Sequence, residues 1–72
     1  MYKLGDIIKN KSGNFTNQIF LLVLDTDENY CVVLFDNLFT AIVGDQARGY
    51  NFNEYEISNL RELSEFVINN NL

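Results

Sequence analysis

Residues 19–36 of this 72-residue chain, IFLLVLDTDENYCVVLFD, carry its clearest structural signal. This stretch contains two unbroken apolar runs, Ile19 to Leu24 and Tyr30 to Phe35, joined by the polar segment Asp25–Asn29. Short runs rich in β-branched and aromatic side chains are typical of strands that are covered on both faces, rather than of helices. The stretch therefore predicts a β-hairpin, with strands at about 19–24 and 30–35 and acidic residues at its tip.

The acids at this tip are spaced like the oxygen ligands of a calcium loop. Counting from Asp25, oxygen-bearing side chains occupy positions 1, 3, 5 and 12, as in an EF-hand. An EF-hand also needs glycine at position 6 and a bidentate Glu at position 12, where this chain has Tyr30 and Asp36. The residues after Asn29 favour a strand, and neither flank favours a helix. We therefore expect a solvated turn, with no metal ion and no other cofactor.

Three further segments complete the predicted sheet. We expect a first strand at about 4–9 and a fourth at about 38–43, after a tight turn at Asp36-Asn37. A fifth strand is expected at about 50–57, where apolar and polar residues alternate. The alternation changes phase near Asn53-Glu54, which indicates a β-bulge.

The end of the chain carries a helix signal. Asn59-x-x-Glu62 resembles a capping box, and Leu60, Leu63 and Val67 then recur at helical spacing. A helix at about 59–68 could cover one end or one face of the sheet. The prediction is thus a single small domain, residues 1–72, that is mainly β: a five-stranded antiparallel barrel or curled sheet followed by one helix.

Two resemblances follow from these patterns. The opening Leu4-Gly5-Asp6-Ile7-Ile8, followed by a loop and a meander, resembles the start of SH3-like small barrels over roughly the first 57 residues. The chain has no Trp, so the proline-motif binding of eukaryotic SH3 domains does not carry over. Its short, acidic, Asn-rich and proline-free composition resembles accessory proteins of phages and mobile elements of low-GC Gram-positive bacteria. That resemblance implies an inhibitor of a host defence nuclease, such as a CRISPR effector, as one function.

Charge and residue content weigh against most kinds of chemistry. Ten acidic residues against five basic ones give a net charge of −5, whereas binding to phosphate backbones relies on Lys and Arg. Without histidine, and with Cys31 as the one cysteine, the chain offers no Ser-His or Cys-His pair and no thiolate zinc site of its own. We therefore expect that the chain is not an enzyme. A single cysteine cannot form a disulfide within the chain, and the sequence shows neither the pattern of a signal peptide nor an apolar run long enough to span a membrane. We therefore expect the cytoplasm of a bacterial host cell.

The function predicted from these observations is a protein–protein interaction module that contacts another protein, one with a basic surface. Aromatic residues beside acids and amides suit the cores and rims of interfaces. An alternative is a nucleic-acid-associated barrel with bases stacked on Tyr2, Tyr30, Phe39 and Tyr50 near Lys3, Lys9 and Lys11. A purely structural, homo-oligomeric subunit is a third reading, and the aromatics can instead simply fill the core. The candidate interface residues are Asp25, Asp27, Glu28, Arg48, Tyr50, Phe52, Glu54, Tyr55 and Glu56.

Overall fold

The computed structural model describes residues 2–14, 16–26, 30–37, 44, 46–47 and 50–69. A 3-10 turn, Phe52–Glu54, leads directly into the last strand. The elements within the described ranges are β1 (Ile7–Asn10), β2 (Ile19–Asp25), β3 (Tyr30–Asp36), β4 (Gln46–Ala47), β5 (Tyr55–Ser58) and α1 (Leu60–Asn69). The prediction of a mainly β domain with one C-terminal helix is confirmed.

The strands form one sheet in the order β4-β3-β2-β1-β5, and every neighbouring pair is antiparallel. β2 pairs with β3 from Ile19↔Asp36 to Asp25↔Tyr30, so the predicted hairpin is confirmed. Its register shifts between Phe20 and Leu21 and again between Val23 and Asp25. Such irregularities increase strand twist and bend a sheet.

The two faces of the sheet bury different residues. One face carries the main core, a cluster of buried side chains that Tyr2, Ile19, Tyr50 and Phe52 pack against. Its members are Ile8, Leu21, Val23, Cys31, Val33 and Tyr55. Because neighbouring residues of a strand point to opposite faces, Phe20 lies on the other face from Leu21. The apolar runs of β2 and β3 thus fill both faces, as expected of strands without polar alternation.

Helix α1 packs against this second face. The Phe66 ring lies 5.8 Å from the Phe20 ring and 5.4 Å from the Phe35 ring, measured between centroids. The predicted cap is also present, since the Glu62 N–H donates to Asn59 Oδ1 at 2.8 Å. The helix spans 60–69 rather than 59–68, because Asn59 is the cap and lies outside the helix itself.

The predicted strand at 50–57 is wrong in its first half. Tyr50 and Asn51 precede the 3-10 turn, and the strand begins only at Tyr55. The phase change near Asn53-Glu54 therefore reflects this turn and not a β-bulge. The physical cause is Asn51, whose side-chain oxygen accepts a hydrogen bond from the Asn53 N–H at 3.1 Å. Local bonds of this kind compete with strand pairing.

The predicted tight turn at Asp36-Asn37 is also wrong. Asp36 still belongs to β3, where it pairs with Ile19. A two-residue turn would place Val32 opposite Ala41, but Val32 pairs with Gln46 of β4. The expected fourth strand at 38–43 lies outside the described residues. The first strand is shorter at its start than predicted, because Leu4 and Gly5 form a turn with Gly5 at φ +90°.

Hydrogen bonds from the side-chain amides of Asn10 and Gln18 hold the connection between β1 and β2 in place. Asn10 Oδ1 accepts from the Ile19 N–H at 2.9 Å, and Asn10 Nδ2 donates to the Asn17 C=O at 3.0 Å. The buried Gln18 side chain donates to the same Asn10 oxygen. A Cβ on Gly13 would lie 2.5 Å from Asn10 Oδ1 and from Gln18 Nε2. A side chain at position 13 would therefore have to displace the amide groups of Asn10 and Gln18.

Candidate protein interface

Part of the predicted interface lies in the core. Tyr55 is 6% exposed, and its ring meets that of Tyr50 edge-on at 6.1 Å. Phe52 is half-buried and forms a similar edge-on pair with Tyr2 at 5.6 Å. These aromatic side chains therefore pack over the main core of the sheet, as the alternative interpretation of the sequence expected. Burial raises the pKa of Tyr55 to about 12.

The charged residues predicted for the interface fall into two groups. Asp25 ends β2 and is half-buried, while Asp27, Glu28 and Arg48 lie outside the described residues. Glu54 and Glu56 are exposed; Glu54 lies just before β5, and Glu56 is the second residue of that strand.

The structure adds Ile57 to this second group. Ile57 follows Glu56 in β5, and its side chain is 59% exposed although it pairs with the buried Ile8. β5 is an edge strand of the sheet, so Ile57 has a neighbouring strand on one side only, and its side chain lies at the margin of the face that carries the main core. We call Glu54, Glu56 and Ile57 together the acidic edge. Sequence reasoning assigned Ile57 to a strand, but only the position of that strand in the sheet reveals its exposure.

The acidic edge is fixed by bonds from its surroundings. The Lys11 N–H donates to the Glu54 C=O at 2.9 Å, and the Tyr55 N–H donates to the Phe52 C=O. The Tyr2 hydroxyl donates to the Tyr55 C=O at 2.5 Å. The pKa of Tyr2 is raised by burial and by the nearby Glu56 carboxylate. These bonds hold the turn Phe52–Glu54 and the start of β5 in a defined conformation.

Next to the acidic edge, the carboxylate of Glu62 in α1 accepts hydrogen bonds from two side chains. Lys9 Nζ lies 2.6 Å from Glu62 Oε2, and the Ser58 hydroxyl donates to Glu62 Oε1. The hydrogen bonds from Lys9 and from Ser58 lower the pKa of Glu62. Glu56 is the residue directly opposite Lys9 on the neighbouring strand, yet Lys9 forms its ion pair with the helix. Among the described side chains, none forms an ion pair with Glu54 or Glu56.

Outside the acidic edge, the structure shows where the cysteine, the possible metal ligands and a surface cleft lie. Cys31 is fully buried, and burial raises the pKa of its thiol to about 11. Among the described residues, no three His, Cys, Asp or Glu side chains converge on a possible metal site. A shallow cleft beside the acidic edge is lined by Lys11, Ser12, Asn53 and Glu54.

No helix within the described ranges is long and apolar enough to cross a membrane.

Comparison of the chain with protein-family models, with curated proteins and with solved structures finds no match. The geometry of the acidic edge is therefore the basis for a functional proposal.

Proposed function

We propose that this chain is a non-enzymatic protein–protein interaction module that binds a basic surface of another protein through the acidic edge. The observation that carries the proposal is the distribution of ion pairs. Lys9 pairs with Glu62, and Arg61 pairs with Glu65 at 3.3 Å. These cations are committed within the chain, whereas the exposed Glu54 and Glu56 have no such partner among the described residues. Uncompensated surface charge of one sign steers association with a surface of the opposite sign.

The same distribution argues against the nucleic-acid reading. Tyr50 packs on the main core and Tyr2 donates to the Tyr55 C=O, so neither ring is presented as an isolated stacking platform. Lys9 is held by Glu62, which leaves fewer cations for a phosphate backbone. An acidic protein is instead suited to occupy a basic nucleic-acid channel in a partner. The resemblance to phage accessory proteins extends the proposal to an inhibitor of a host defence nuclease.

For the fold, we propose an SH3-like small barrel. Support comes from the sheet order, in which a meander from β1 to β4 is followed by a last strand that returns to pair with β1. Further support comes from the two register irregularities in the β2–β3 hairpin, because bulges promote curling of a sheet. Curling toward the main core would bring the edge strands β4 and β5 toward each other.

The function is tested by capture from a bacterial lysate, identification of bound proteins by mass spectrometry, and titration of the purified candidate. We expect a partner with a basic surface, whose affinity falls as salt is added. Glu56→Lys should weaken this binding strongly. Glu65→Lys, which makes the same change of charge on the exposed face of α1, serves as the matched control. Salt-sensitive binding to oligonucleotides that is lost on neutralising Lys3, Lys9 and Lys11 would contradict the proposal and favour the nucleic-acid reading.

A further inference from the structure

The hydrogen-bond pattern between β1 and β5 determines which main-chain groups of β5 face outward. In an antiparallel ladder, bonded and non-bonded residue pairs alternate. Lys11 donates to Glu54, and these two residues continue the register that pairs Asn10 with Tyr55. The bonded pairs further along are therefore Lys9 with Glu56 and Ile7 with Ser58. It follows that Tyr55 and Ile57 turn their N–H and C=O groups away from β1.

The outward groups of Tyr55 are already occupied, and this agrees with the alternation. Its N–H donates to the Phe52 C=O and its C=O accepts from the Tyr2 hydroxyl. For Ile57, no described residue bonds to the outward N–H or C=O. Ile57 thus combines an open pair of main-chain groups with a side chain that is 59% exposed. Exposed sheet edges with these features are templates for the addition of another strand.

The charge around Ile57 specifies the chemistry of such a strand. Glu56 lies next to it in β5 and is exposed, and Glu54 lies at the entry to the strand. Lys9, the cross-strand neighbour of Glu56, is held by Glu62 at 2.6 Å. Opposite charges on directly facing positions of neighbouring strands stabilise their pairing. A strand that adds to β5 would therefore place Lys or Arg opposite Glu56.

From these observations we infer that the β5 edge binds an extended, basic segment of the partner protein, which adds as a strand at Ile57 with an apolar residue beside the Ile57 side chain. The inference rests on the proposed function and names the contact through which it acts. The Glu62–Lys9 ion pair has an indirect part in it, because it keeps Lys9 from neutralising Glu56. Glu62 therefore affects the acidic edge only through the position of the Lys9 side chain.

The test uses the full chain labelled with ¹⁵N and two short capped peptides, one of alternating Lys and Val and one of alternating Glu and Val. We expect the Lys peptide to shift the amide signals of β5 and to slow hydrogen exchange at Ile57, and the Glu peptide to have no effect. Glu56→Gln should weaken binding roughly two- to fivefold, the range of an exposed ion pair. Glu62→Gln should also weaken it, because Lys9 is then free to pair with Glu56.

A backbone variant isolates the main-chain contact. Ile57→Pro removes an N–H that points away from β1, a position at which edge strands tolerate proline, so the fold should persist while peptide binding is lost. Ile57→Val is the matched control and should bind like the wild type. If Ile57→Pro does not fold, Ile57→Thr tests the same position through its side chain and should weaken binding.

The outcomes separate the inference from the proposed function. If a basic partner loses affinity for Glu56→Lys but binds the Ile57 variants like the wild type, strand addition at Ile57 is overturned, while the proposed function stands. If the partner binds the wild type and the Glu56 and Ile57 variants equally, the acidic edge is not the contact and both proposals fail. If neither the Lys peptide nor any basic protein binds, both proposals fail. If Ile57 is protected without peptide, and sedimentation shows a dimer that depends on concentration, the edge joins two copies of this chain and the inference is overturned.

Discussion

Lys9 Nζ and Glu62 Oε2 lie 2.6 Å apart and tie the first strand to the C-terminal helix. The Ser58 hydroxyl adds a second bond to the same carboxylate. This contact holds α1 over the sheet face that carries Phe20 and Phe35, and it engages Lys9, the residue directly opposite Glu56 on the neighbouring strand. One side chain of the helix therefore serves both the packing of the domain and its surface charge.

The first prediction concerns Glu62 and pH. Because its pKa is lowered in the folded chain, Glu62 stabilises the fold fully above its ordinary value of 4.5, and this stabilisation is lost as the pH falls through the lowered value. Glu62→Gln should reduce the free energy of unfolding at pH 7 by about 1 kcal/mol or less, since the pair is partly exposed. Urea titrations at pH 7 and in strong acid measure the gap in unfolding free energy between wild type and variant. We expect this gap to disappear in acid. A gap of constant size would contradict this account.

A second prediction concerns the helix contact at Phe66. Phe66→Ala removes a half-buried ring that packs against Phe20 and Phe35, and should cost about 2 kcal/mol, below the range for fully buried Phe. Ile68 is 71% exposed on the same helix, so Ile68→Ala should change the stability little. Equal denaturation midpoints for the two variants would show that α1 is not docked through Phe66.

Gly13 gives a third prediction, on the β1–β2 connection. Gly13→Ala forces a methyl group against Asn10 Oδ1 and Gln18 Nε2, and should destabilise the fold by about 1–3 kcal/mol, as overpacking does. The exposed neighbour Ser12 provides the control, because Ser12→Ala introduces no clash and should remain near the wild type. Thermal melts of both variants measure the difference, and a fully stable Gly13→Ala would refute the described amide network.

Cys31 provides a fourth prediction, on thiol reactivity. Its side chain is 0% exposed and the pKa of its thiol is raised to about 11 by burial, so the reactive thiolate is scarce near neutral pH. Labelling by a disulfide reagent should be very slow in buffer and fast in concentrated urea. Rapid labelling of the native chain would mean that the main core opens readily at β3.

The predictions from sequence succeeded where the signal was local and continuous. The apolar runs of β2 and β3 identified both strands, and Asn59 with Glu62 marked the start of α1, because a cap depends on residues within one helical turn. At residues 50–57 the alternation was real, but the local bond from Asn53 to Asn51 favoured a turn over strand pairing. Sequence patterns do not weigh that competition.

The candidate site was accessible to sequence reasoning only in part. Its acidic character followed from composition, and Glu54 and Glu56 were named from their alternation. The role of Ile57 depends on β5 lying at a sheet edge, and the ion pair of Lys9 with Glu62 joins residues far apart in the chain. Such contacts follow from the register of β1 with β5, which no local pattern encodes.

We propose above that the acidic edge binds a basic protein. The most direct test of this proposal is the dissociation constant of the captured and purified partner for the wild type, for Glu56→Lys and for Glu65→Lys, measured at low and at physiological salt. We expect a large loss of affinity for Glu56→Lys alone, with a wild-type affinity that falls as salt rises. Equal affinities for Glu56→Lys and Glu65→Lys would contradict it.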